Sequence, residues 1–492
     1  MTATMTPAQQ QPPPQRTYGN WRRGVSAGLF GLGTGATVLM FAVALLTVTM
    51  LAVSMLAALV TALLGAAVLV PLAVRVNGRT GLQVLSARIA WWRGRSQRQH
   101  IYQSGVASRV TQSHQLPGLL ARSEVYTVET GRAGRIGVVV IPQSRHYTVT
   151  LRCAPEGMDL VDQSVIDTRV AHLATWLSSL SREPGLVQAM ITVETTPDPG
   201  TLLAGEVHNN MAPQAPDLAR QVLDEVVRSY PAGSAQVETR VSLTYTVPPG
   251  RGKLTHEDMC REVAARLPHL HAGLSAAGSG GVYPSSPQGL AAAMRAAYDP
   301  AVALDMARNP DLVVTWDQAG PVAARESWDY YRHDSGVSRT WGMVEAPRGL
   351  TFSSTFARLT DPDPSLLRKR VAMIYRPYSP AESAKLVEAD KRDARFNTSK
   401  KSQATARDIA DLVAAEQAAQ EEAAGAGVVR FTVLVTATVA SVEQLDEATR
   451  IIDSRAAEAR LMLRPMYGAQ AATFAASLPA GIVLPAHATV PF

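Results

Sequence analysis

The sequence predicts an α+β protein: an N-terminal two-helix transmembrane hairpin followed by two tandem cytoplasmic units of split-βαβ character. Three observations carry this. From Gly24 to Val74 there is no Asp, Glu, Lys, Arg or His, and arginines crowd both flanks of that run. Beyond residue 105, short β-branched runs alternate with amphipathic stretches at helical spacing, and the pattern occurs twice.

Some fifty residues of helix extend ~75 Å, whereas the hydrocarbon core is about 30 Å thick, so the apolar run folds back on itself. The spans are residues 25–46, containing Gly28, Gly31, Gly33 and Gly35, and residues 52–74, with residues 47–50 as the turn. Gly31 and Gly35 have the spacing of a small-residue helix contact. A cleaved signal has one short apolar core, and this run is too long for that. Arg16, Arg22 and Arg23 precede the spans; Arg75, Arg79, Arg88, Arg93, Arg95 and Arg98 follow them. Positive flanks stay on the cytoplasmic side. The sequence therefore predicts a multi-pass plasma-membrane protein with both termini and its soluble part in the cytoplasm. Trp21, Arg22, Arg23, Arg75, Arg79, Trp91 and Trp92 are the expected contacts with the lipid interface.

Residues 1–20, rich in Gln and Pro, read as a disordered tail. Residues 76–105 read as a basic juxtamembrane helix in which Leu82, Leu85, Ile89 and Trp92 recur at helical spacing, to lie on the membrane or against the soluble part. The first α+β domain spans residues 106–277: a hairpin over 137–153, helices over 162–180 and 216–230, strands over 187–195 and 235–247, and a helix from Thr255. The break is at residues 278–281. The second domain, residues 282–492, has a helix over 286–299, a hairpin around residues 333–336 and strands over 369–375 and 428–439. It continues with a helical stretch over 379–424 broken near Asn397, a helix from Ser441 and an apolar tail. The net charge of +6 lies largely beside the spans and suits anionic lipid, not sequence-specific nucleic acid. Cys153 and Cys260 read as core residues, not a disulfide or metal ligands.

Little in the chain reads as chemistry. The segment Gly250-Arg-Gly252-Lys253-Leu254 lacks the upstream glycine and the hydroxyl of a phosphate loop, and residues 278–281 lack its lysine. His269 and His271, two apart on a helix, diverge. Asp361 and Asp363, interleaved with prolines, read as the loop before a helix, and Lys400-Lys401 and Glu421-Glu422 as solvated faces. The expectation is a binding or assembly protein, not an enzyme, with no cofactor and no metal.

Three late segments resemble the amino-terminal, non-motor half of conjugative type IV secretion ATPases. They are Ala297-Tyr-Asp-Pro300, the strand from Lys369 to Pro377, and Gln470-Ala-Ala-Thr-Phe474-Ala-Ala-Ser-Leu478-Pro479-Ala-Gly481. In that family the last of these stands just ahead of the nucleotide-binding motor. The double span with its basic helix is similar to the two-span membrane subunit of the same machines. The resemblance implies a structural inner-membrane component, as in actinobacterial conjugative elements. It would form an oligomer within a complex with other channel subunits and dock a separately encoded motor ATPase. Gln470, Phe474, Leu478, Pro479, Gly481 and Phe492 are the expected docking residues. The alternatives are the E-type membrane component of type VII secretion, which also places a hairpin before an α+β domain, and a membrane-anchored enzyme of lipid or cell-wall metabolism.

Overall fold

The computed structural model describes residues 34–73, 75–76, 78–105, 108, 115–131, 134–157, 160–197, 201–229, 235–248, 250, 254–309, 312–347, 351–399 and 405–487. The expected tail and the start of the apolar run lie outside them. Helices α1 (Thr34–Leu51) and α2 (Met55–Ala73) are joined by a turn at Ala52, Val53 and Ser54. The turn falls later than the expected residues 47–50. Thr47 and Thr49 donate their hydroxyls to the carbonyls of Val43 and Leu46 and so stay helical. Ser54 starts the second helix, its Oγ accepting the Ala57 N–H at 3.0 Å. The helices meet at Gly65, where any side chain would run into Val43. Met55–Leu72 is long and apolar enough to cross a bilayer, and Thr37–Leu51 is a shorter apolar helix.

Strands β1 (Arg75–Val76) and β2 (Arg79–Thr80) pair, and Thr80 caps α3 (Gly81–Ser96) in a reciprocal box with Gln83. The expected helix over 76–105 is thus shorter: α3 stops at Ser96, and β3 (Ile101–Gln103) joins a sheet. The chain continues through β4 (Glu124–Thr130), β5 (Gly134–Ile141), β6 (His146–Ala154), α4 (Gln163–Leu180) and β7 (Leu186–Pro197). Next come α5 (Thr201–Asn210), α6 (Asp217–Ser229), β8 (Ala235–Thr246), α7 (His256–Leu274) and β9 (Gly281–Pro284). Then follow α8 (Pro287–Tyr298), α9 (Pro300–Arg308), β10 (Ala323–Glu326), β11 (Tyr331–His333), β12 (Gly336–Glu345) and α10 (Ala357–Thr360). The last elements are β13 (Arg368–Pro377), α11 (Pro380–Ser399), α12 (Ala406–Ala423), β14 (Val429–Val439), α13 (Leu445–Glu458), β15 (Met462–Pro465) and α14 (Gln470–Ser477).

Apart from β1 and β2, these strands form one 13-stranded sheet in the order β3-β10-β11-β12-β14-β13-β7-β8-β6-β5-β4, with β15 on β12 and β9 on β6. Its ladders are antiparallel. The expectation of two separate tandem units is corrected: the halves share a sheet because β7 pairs with β13, from Thr195↔Lys369 to Ala189↔Tyr375. The boundary near residue 280 is crossed too. The start of α8 packs on β5 at Gly137, and β3 forms the outer edge of the second half. Each half still repeats one plan, a hairpin, a central strand, a helical crossover and a returning strand, giving β5-β6-β8-β7 facing β11-β12-β14-β13 across the centre.

Successive strand residues point to opposite faces. Val138, Tyr147 and Leu243 pack beneath α4 and α7, and Val371, Val433 and Val435 beneath α13. On the other face Val139, Met190, Ala372 and Leu434 pack against α8, α14 and the chain that follows it.

At the junction of the halves Glu194 is opposite Arg370. Its Oε2 accepts from Arg370 Nε at 2.5 Å and its Oε1 from Arg368, all three side chains being buried. Burial alone would raise the Glu194 carboxyl, but Arg368, Arg370 and Arg240 outweigh it and hold the group at about 2. Removing one member leaves buried charge unpaired, which costs roughly 3–5 kcal/mol. We expect Glu194→Gln to lower the unfolding free energy of the sheet domain, read from urea titration, by that order, and Glu238→Gln, paired with Arg240 at an edge of the same network, to do far less. Equal losses would show that the pair is not what joins the halves.

Candidate functional site

Two structural features involve the residues singled out by sequence: the junction that fixes α3 to the sheet domain, and the path of the chain after β15. They meet at Trp328, in the loop between β10 and β11. Trp91 of α3 abuts the Trp328 ring edge-on at 5.9 Å, and the Arg88 guanidinium lies 4.3 Å from its centroid. Tyr467 stacks on the same indole at 6.2 Å, and Gly468 donates its N–H to the Trp328 carbonyl at 2.7 Å. Below this, Ser104 donates to the Pro321 carbonyl at 2.7 Å and closes the end of β3 on the sheet.

The expected interface residues divide. Trp21, Arg22 and Arg23 lie outside the described residues. Arg75 lies in β1, opposite Thr80. Arg79 is half-buried near Arg464 of β15; burial, with Arg79 beside it, lowers the Arg464 guanidinium to about 10. Trp91 is a domain contact and not a free interface residue, because it packs against the Trp328 ring. Trp92 next to it is 73% exposed.

After β15 the chain turns under the sheet and crosses both halves. Glu326 accepts the Ala471 N–H at 2.9 Å and so caps the start of α14. The Gln470 amide accepts from Thr340 N at 2.8 Å and donates to Thr340 O at 3.3 Å. It thereby fills the gap on β12 between the stretches paired with β11 and β15. Phe474 lies in a nest of Tyr298, Tyr331 and His333, with ring centroids 5.2, 5.4 and 4.8 Å away. Ser477 accepts from Arg370 at 3.3 Å, and the Pro479 carbonyl accepts from Thr150 at 3.0 Å. Gly481 has φ 72° and its backbone presses on Thr148 and Thr244, leaving no room for a Cβ. Gln188 then donates to the Ile482 carbonyl at 3.3 Å.

Gln470, Phe474 and Leu478 are therefore buried in their own domain. The expected docking role of these three, and of Pro479 and Gly481 beside them, is corrected to a clasp across the sheet, because that face carries buried hydroxyls and arginines that need these partners. Phe492 lies outside the described residues.

Cys153 and Cys260 are free and buried, their thiols pushed up to about 11 and 12 by burial. Asp363 holds Arg455 at 2.9 Å, a structural contact. Among the described residues no group of His, Cys, Asp and Glu is arranged to hold a metal ion. Sequence reasoning missed Trp328 and Glu326. The available signal was a tryptophan and a carboxylate in a short polar stretch between strands, which is not specific.

Residues 25–83 match a domain of unknown function (DUF8461), a stretch that takes in the apolar hairpin, β1, β2 and the first residues of α3. No curated protein matches the chain.

We expect Gly481→Ala to destabilise the domain by several kcal/mol, since the added methyl would meet the short, fully buried side chains of Thr148 and Thr244, which have no room to move aside, at a backbone φ of 72°. Truncation before Ile482, whose side chain and that of Val483 are buried, should abolish cooperative melting, whereas truncation after His487 should preserve it. If the shorter chain melts normally, the end of the clasp at Ile482 and Val483 is dispensable.

The pH dependence has a definite sign. Burial lowers His333 to about 4 despite its hydrogen bond to the Tyr298 carbonyl, and burial with His487 nearby lowers His146 to about 4. Between the ordinary 6.5 and 4 the unfolded chain binds protons that the folded one does not, so stability falls as pH drops through that window. Urea midpoints at pH 7.5, 6 and 5 should decrease in that order, and less steeply in His333→Gln.

Proposed function

We propose that this chain is a structural inner-membrane component of a conjugative, type IV-like secretion machine. It is anchored by its two-helix hairpin, with both termini and the sheet domain cytoplasmic, and it docks a motor ATPase among other channel subunits. The observation that carries the reading is the physical linkage at Trp328. The helix after the apolar hairpin and Tyr467, just ahead of the Gln470–Gly481 segment that resembles the motor-proximal end of the secretion ATPases, bear on one indole. Such a linkage suits a part that transmits force or position between a membrane and a motor.

On this reading the motor sits beside the end of the clasp. After Ile482 the chain runs to residues 484–487, with His487 close enough to affect His146 at the start of β6. The docking face on this reading is the adjacent turn, where Gln143 and Arg145 are exposed. The protein is on this reading not an enzyme, and its sequence carries no glycine-lysine-hydroxyl phosphate loop.

Purification of the tagged full chain from its native membranes, followed by mass spectrometry, tests this. A motor ATPase and conjugation-channel subunits should be enriched, and Q143E/R145E should reduce ATPase recovery several-fold with membrane insertion unchanged. Enrichment of a WXG-type substrate pair without a conjugation motor would overturn the assignment in favour of type VII secretion.

A further inference from the structure

Helix α3 has two distinct sides. One side, through Arg88 and Trp91, is spent on Trp328. The other carries Leu82, Leu85, Ile89 and Trp92, which are 47, 52, 57 and 73% exposed. At 100° per residue these four occupy a stripe about 80° wide that the sheet domain leaves uncovered. A helix with one face seated on the sheet domain and an apolar face left open is built to lie between that domain and an apolar body.

What covers the open face is indicated by its surroundings. The helix starts against the end of α2, with Gly81 packed on the backbone of Pro71, so the stripe begins where the candidate span ends. Arg93 is exposed beside the stripe. Arg95, in the last turn of α3, and Arg325, on β10, both lie near the His100 ring, so helix and sheet edge share one basic neighbourhood. Arg325 and Arg332 are Cα partners across β10 and β11, both exposed, with half-exposed Ile101 of β3 next in the row. Apolar residues continuous with a span and rimmed by arginines match the acyl–headgroup boundary of an anionic bilayer.

We propose that α3 lies in the surface of an anionic bilayer with Leu82, Leu85, Ile89 and Trp92 in lipid, and that Arg325 and Arg332 hold the β3–β10–β11 edge against its headgroups. This rests on the membrane-anchored reading and adds an orientation to it. The sheet stands with that edge towards the membrane, so the β4 edge at the other end of the strand order is the one farther from the bilayer.

The test uses the full chain in nanodiscs of phosphatidylcholine, with or without phosphatidylglycerol. Nitroxides are placed at Leu63→Cys in α2, Leu85→Cys and Ile89→Cys in α3, and Val222→Cys on exposed α6; both native cysteines are buried. The ratio of oxygen to nickel-chelate accessibility should be several-fold higher at 85 and 89 than at 222. It should rise further with phosphatidylglycerol, and R325E/R332E should remove that rise. A lipid-like label at 63 with water-like labels at 85 and 89 would overturn this inference alone, as would labels at 85 and 89 shielded from both reagents, the signature of a protein partner. A lipid-independent ratio would overturn the role of the arginines. A water-like label at 63 would overturn the membrane reading itself.

Discussion

The pairing of β7 with β13, closed by Glu194 between Arg368 and Arg370, is the interaction on which the rest of the structure depends. Without it the chain would be two half-sheets, each with a long central strand exposed as an edge. With it, the polar row at the centre is buried and has to be satisfied from above. The clasp from Gln470 to Ile482 does this. Ser477 takes an Arg370 bond, the Pro479 carbonyl takes Thr150, and the bare backbone at Gly481 fits between Thr148 and Thr244. The central ion network and the clasp are two layers of one solution to the problem of joining two duplicated plans.

Much of the secondary structure was legible in the sequence. Asp162 precedes α4, Thr255 caps α7 through Asp258 N at 3.2 Å, and the break expected near Asn397 falls between α11 and α12. These features are local: a cap and a periodicity act within a few residues. The sheet order was not legible, since nothing in the segment around Val193 identifies the segment around Val371 as its neighbour rather than a strand nearer in sequence. The strand at Ile101–Gln103 was hidden for a related reason, because three residues after a basic helix carry no alternation to read and gain their pairing only from β10.

The candidate site divides along the same line. Trp92 lies exposed on the open side of α3, whereas Trp91 was drawn to the domain by a tryptophan more than two hundred positions away. The Gln470–Gly481 segment was singled out correctly as special but for a reason that pointed outwards. Its apolar residues looked like a docking tail because the sheet face that receives them is assembled from strands of both halves, none of which shows in the segment itself. A buried Gln whose amide mimics a neighbouring strand cannot be distinguished from a surface Gln by composition.

The position of β3 has a consequence for how the protein is made. Ser104 is bonded to Pro321, 217 residues later, and Thr150 to Pro479, 329 residues later. During synthesis the apolar hairpin and α3 are therefore complete long before the strand that will hold β3 has left the ribosome, and the sheet face over β6 stays open until Pro479 and its neighbours have been added. The N-terminal helices must commit to their surroundings while still tethered to an unfinished domain, and the domain then closes around a helix already in place. Contacts this distant fold slowly and leave strand edges unpaired meanwhile. A version stripped of residues 34–96 would lose not only the apolar hairpin but also the seat on which Trp328 settles.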